Sequence, residues 1–92
     1  MSEYIEIIEE PTEDPDIMEF DTNLSLTDGE IEQYYSLDAM AEGSPVAHAL
    51  SVIEGITMAR LEGGLLTVQR DPMYDWYAIA ADVSSVLKDF FL

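Results

Sequence analysis

Twenty Asp and Glu stand against three basic residues, Arg60, Arg70 and Lys88, so the 92 residues carry a formal charge of −17. Unpaired carboxylates are rarely buried. The interior must therefore come from the few stretches that hold little acid. SPVAHALSVIEG, residues 44–55, is the most orderly of these, with Glu54 as its single acidic residue. Ser44 is placed to cap the free N–H groups of a first helical turn. Pro45 fits the first helical position, where its missing donor costs nothing. Val46, Ala49, Leu50 and Ile53 recur at i, i+3, i+4 and i+7 and make one apolar stripe. Gly55 fits the left-handed position that ends a helix.

The second neutral-faced stretch is DWYAIAADVSSVLKDFFL, residues 75–92. Trp76, Ile79, Ala80, Val83, Val86, Leu87 and Phe90 keep helical spacing over more than three turns. Asp75 is a cap, and Lys88 near the end complements the helix dipole.

Strands are expected elsewhere. YIEIIEE (4–10) and DIMEFD (16–21) flank PTEDPD (11–16), whose prolines and aspartates make turns. ITMARL (56–61) and LLTVQR (65–70) flank Glu62-Gly63-Gly64, a tight hairpin. Between the halves, TNLSLTDGE (22–30) is a polar connection with a turn at Asp28-Gly29. IEQYYS (31–36) is a candidate short third strand, and 36–43 holds one helical turn capped by Ser36. These elements predict an α+β two-layer domain over residues 1–92. Its sheet is largely antiparallel with about four strands, and two main helices cover one face in the order β-β-α-β-β-α. The expected core is Phe20, Val46, Leu50, Ile53, Leu66, Val68, Trp76, Ile79, Val83 and Leu87, with Trp76 a core or half-buried anchor.

Composition narrows function. The charge repels phosphate backbones and anionic lipids, which argues against direct nucleic-acid or membrane binding. No run approaches the ~20 apolar residues that span a bilayer, and MSEYIEIIEE has no basic signal region. A cytoplasmic monomer is expected. There is no cysteine, which excludes thiolate metal or cluster sites within these residues. His48 lies off the apolar stripe and reads as a surface imidazole. No serine sits in a nucleophile elbow, and Gly63-Gly64 lacks the setting of a phosphate loop. Catalysis is not expected. Glu13, Asp14 and Asp16 are the candidate ligands for a hard cation, although aspartates in such loops more often cap their own turns.

Thr12-Glu13-Asp14-Pro15-Asp16-Ile17-Met18-Glu19-Phe20 is similar to a T-P-N-P-N-x-x-K-F pattern. It matches at Thr12, Pro15 and Phe20, with Asp14 and Asp16 as close replacements. Ser44-Pro45-Val46-Ala47, Ile53-Glu54-Gly55-Ile56, Leu66-Thr67-Val68, Asp75-Trp76 and Asp89-Phe90-Phe91 follow in order. Together they resemble the N-terminal domain of the Nfu/NifU-like iron–sulfur cluster scaffold and carrier proteins. The departures are Glu13 for a proline, Glu19 for a lysine and a longer stretch at 21–43.

In that family a second domain carries the C-x-x-C pair that binds the cluster, so no cluster ligand carries over to this chain. The resemblance implies a stand-alone, non-catalytic accessory domain in iron–sulfur cluster assembly or delivery. It would meet iron or a cluster only through a partner. The implied partners are assembly proteins, recipient apoproteins or a separate C-x-x-C domain. Thr12, Asp14, Pro15, Asp16, Ser44 and Pro45 are the candidate partner-binding residues. Two alternatives remain: an acidic iron- or divalent-cation-binding protein, and a nucleic-acid mimic that inhibits a DNA-binding protein.

Overall fold

The structure, a computed structural model, describes residues 4–92. Strands β1 (Ile7–Pro11) and β2 (Ile17–Thr22) form the first hairpin, and β3 (Glu32–Tyr34) follows. Two short helices come next, α1 (Leu37–Ala41) and α2 (Pro45–Leu50). The second hairpin, β4 (Ile56–Glu62) and β5 (Leu65–Arg70), leads into α3 (Trp76–Phe91). All pairings are antiparallel, in the order β1-β2-β5-β4-β3. The fold is α+β, as expected, with β3 real and lying at the far edge as a fifth strand.

Alternation decides which side chains enter the core. Phe20 lies opposite Leu66, which lies opposite Leu61; Met18 lies opposite Val68, which lies opposite Ala59. These residues share one face, and Phe20, Leu66, Leu61, Val68 and Ala59 are fully buried. A bulge between Ile56 and Met58 shifts the phase of β4. It lets Ile56 and Ala59 both point inward, which strict alternation forbids. From α3, Ile79, Ala80, Val83 and Leu87 close the core; from α2, Val46, Ala47 and Leu50 do so. Among the described residues no buried side chain is polar or charged.

Four expectations change. The helix that starts at Ser44 stops at Leu50 and does not continue to Gly55. Ser51 turns its N–H and hydroxyl back on the His48 carbonyl, so Ile53 reaches the core from a turn. Gly55, at φ 97°, shapes the turn into β4. Ala47, not Ala49, completes the buried side of α2. Phe90 remains 42% exposed, and Phe91 packs against the core in its place. Leu26 and Met40, absent from the expected core, are buried.

The β4–β5 hairpin also organises the chain after β2. The Thr22 N–H and hydroxyl donate to the Gly64 carbonyl at 2.9 and 2.7 Å. The Leu26 N–H donates to that of Gly63 at 2.9 Å. The backbones approach so closely that a Cβ on Gly64 would lie 2.6 Å from the Thr22 carbonyl oxygen. Gly64→Ala is therefore expected to cost about 1–3 kcal/mol, the scale of overpacking, measured by urea unfolding. An unchanged midpoint would show that this crossing yields easily.

Candidate functional site

The loop between β1 and β2 is closed by its own side chains. The Thr12 hydroxyl accepts from the Asp14 N–H at 3.2 Å and lies 2.8 Å from the Ile17 carbonyl, to which it donates. Asp14 Oδ1 accepts from the Asp16 N–H at 2.9 Å, and the Ile17 N–H closes on the Asp14 carbonyl at 3.1 Å. These are the Asx and Ser/Thr turns that such residues make in loops.

Two distant residues then hold the loop from outside. Alternation places Arg70 on the Leu66–Val68 face, at the end of β5. Its Nε donates to Asp16 Oδ1 at 3.1 Å, its backbone N–H to the Asp16 carbonyl at 2.8 Å, and its Nη1 to the Tyr74 carbonyl at 2.9 Å. Its guanidinium lies 5.3 Å from the centre of the Trp76 ring, within cation–π range. Trp76 Nε1 donates to the Pro15 carbonyl at 2.7 Å. The indole meets Phe20 at 6.4 Å between ring centroids. Asp75 caps α3 by accepting from the Tyr77 N–H, which fixes where Trp76 projects. Trp76 is thus a half-buried anchor.

Of the expected site residues, Thr12, Asp14, Pro15 and Asp16 come together, while Glu13 is exposed on the same loop. The Asp14 and Asp16 carboxylates are engaged by a backbone N–H and by Arg70. Among the described residues, no group of three or more His, Asp or Glu is placed to hold a metal ion. Ser44 and Pro45 lie elsewhere. The Ser44 Oγ accepts from the Ala47 N–H. With Leu26, Phe90 and Phe91, both residues line a groove of about 220 Å³ near the end of α3. Pro15 is bonded at the start of that helix, and sixteen residues rise about 24 Å, so the two sets do not form one site. A second groove, about 310 Å³, runs between β1 and α3 past Glu9, Tyr77 and Ser84. His48 is exposed, and its Nδ1 bonds the Ala41 carbonyl at 2.8 Å, tying α2 to α1.

Arg70 and Tyr74 are the members of this cluster that sequence reasoning missed. Arg70 lies 54 residues from Asp16, and no local pattern links them. The available signal was its rarity, as one of three basic residues in an acidic chain.

A family model described as "Scaffold protein Nfu/NifU N terminal" matches residues 7–92, from the first residue of β1 to the end of the chain. The chain belongs to the Nfu/NifU N-terminal scaffold family. Within this Nfu/NifU N-terminal domain, the Thr12–Phe20 segment is the loop and strand gripped by Arg70 and Trp76. Asp75-Trp76 is the cap and anchor of α3. The fold is shared with two solved structures. Protein SAV1430 from Staphylococcus aureus superposes with a TM-score of 0.71 at 16% identity, covering 88% of this chain and 96% of that one. SeR13 from Staphylococcus epidermidis gives 0.62 at 19% identity, covering 91% and 96%. No curated protein matches the chain in sequence. Among the described residues no helix is long and apolar enough to cross a membrane.

Lysine cannot reproduce the guanidinium fork or its stacking. Arg70→Lys is therefore expected to lower stability by about 1–3 kcal/mol, the scale of charge-assisted hydrogen bonds lost. Trp76, the single tryptophan, should report the change as a shifted native emission spectrum. Wild-type emission and midpoint together would show that the cluster does not hold the loop.

Proposed function

We propose that this domain is a non-catalytic interaction module in iron–sulfur cluster assembly or delivery. The observation that carries the reading is the family match over residues 7–92 in a chain without cysteine. Clusters are held mainly by thiolates, so cluster or iron is handled by a partner and not by these residues. The partners are assembly proteins, recipient apoproteins or a separate C-x-x-C domain. The domain works in the cytoplasm as a monomer, its charge opposing self-association.

The Thr12–Asp16 loop supports this reading as a contact site. It is held at fixed geometry by Arg70 and Trp76, and a preorganised loop loses little entropy on binding. Ser44 and Pro45 offer a second contact at the opposite end of α3.

The test is affinity capture with the tagged chain under anaerobic conditions. Cluster-assembly proteins are expected among the captured species. Glu13→Lys, on the exposed side of the loop, should reduce their recovery several-fold without changing the unfolding midpoint. Recovery of unrelated proteins alone would contradict the reading.

A further inference from the structure

The core-facing side of the sheet is covered by the helices; the other side is open. Along β1 and β2 that open side carries Ile8, Glu10, Ile17, Glu19 and Asp21, and along β5 it carries Leu65 with the neutral Thr67 and Gln69, because these alternate with the residues that face the core. We propose that this half of the open face is the docking surface for a basic amphipathic helix of a partner protein. The proposal rests on the reading of the domain as an interaction module.

Three observations converge on it. First, apolar and acidic side chains are interleaved there. Ile8 lies opposite Asp21, and Asp21 lies opposite Leu65. Ile8 is 48% exposed, while Ile17 and Leu65 are half-buried.

Second, Glu10 stands directly across from Glu19, with Asp21 on the same face two residues along β2. Like charges directly opposite in a sheet destabilise it. Among the described residues, the basic residue on this face is Arg60, on β4, and it is paired with Glu62 at 2.8 Å. Natural proteins break such local rules at functional surfaces.

Third, the charge selects the occupant. A second copy, also at −17, is repelled. A segment with Lys or Arg flanking an apolar stripe satisfies both chemistries at once. The interleaved apolar and acidic groups are side chains on a face, separate from the outer backbone edge of β1. A helix is the element that completes such a layer.

The probe is a synthetic helical peptide with a leucine stripe flanked by lysines, titrated against the full chain by fluorescence anisotropy. The near-isosteric triple variant E10Q/E19Q/D21N is compared with D38N/E54Q/D82N, which removes the same charge from exposed positions outside the sheet. The sheet variant should weaken binding roughly tenfold, the scale of three exposed charge pairs, and the control far less. Ile8→Ser should also weaken binding with no change in charge. Glu19→Gln alone should raise the melting temperature by a few degrees while lowering affinity, because it relieves the repulsion that the partner otherwise relieves.

Equal loss in both triple variants, or unchanged binding by Ile8→Ser, would overturn the proposal, since attraction would then follow net charge alone. Assembly proteins captured undiminished by the sheet variant would also overturn the face while sparing the assembly reading. Peptide binding confined to this face with no assembly protein captured would do the reverse.

Discussion

Arg70 ties the start of α3 and the turn before it to a loop 54 residues away in the chain. Its place on β5 directs its stem along the same side as Leu66 and Val68, and its guanidinium emerges where the end of the sheet meets the start of α3. There it holds the β1–β2 loop through Asp16, the β5–α3 turn through the Tyr74 carbonyl, and the Trp76 ring by stacking. A fully exposed ion pair would contribute little. This one is only 20% exposed on the arginine side and 31% on the aspartate side, and hydrogen bonds to charged groups are worth more where water is partly excluded. The Trp76–Pro15 bond then fixes the register of α3 against the loop. The core residues Ile79, Val83 and Leu87 follow from that register.

The excess charge and the fold are two consequences of one segregation. Every buried side chain among the described residues is apolar, so the carboxylates lie on loops, on exposed helix faces, at the edge strands and on the open face of the sheet. A two-layer domain of this length has only one internal face, and its second sheet face is unavoidably surface. That is one place where acid and the leftover apolar residues mix.

Much of the architecture was legible because its signals are local. Ser36, Ser44 and Asp75 cap the helices expected of them. Gly63, with positive φ at the first position of a two-residue turn, closes the β4–β5 hairpin. The errors share one cause: tertiary packing overrode a local pattern. A continued helix suited Ala49, Ile53 and Gly55, but Ile53 fills the core from a turn instead. Phe90 has the right spacing for the stripe, yet Phe91 lies nearer the core at the fraying end. Leu26 is buried because the β4–β5 turn draws its backbone inward. At the loop, the turn chemistry of Thr12, Asp14 and Asp16 was readable, whereas its clamp was not.

The sequence alone determined the α+β class, the hairpins, the caps, most of the core and the family, since all of these rest on spacing, turn chemistry or motif order within short windows. Tertiary structure alone decided the strand order, the place of β3 at the far edge, and the grip of Arg70 and Trp76 on a loop 54 and 61 residues away. It also decided that Glu10 faces Glu19 and that Ser44 and Pro45 lie at the other end of α3 from Pro15. The physical reason is the range of the forces involved. Hydrogen-bonded turns and periodic burial are written residue by residue. Long-range pairing depends on which apolar faces meet, and on where the few cations of an acidic chain are carried when they do.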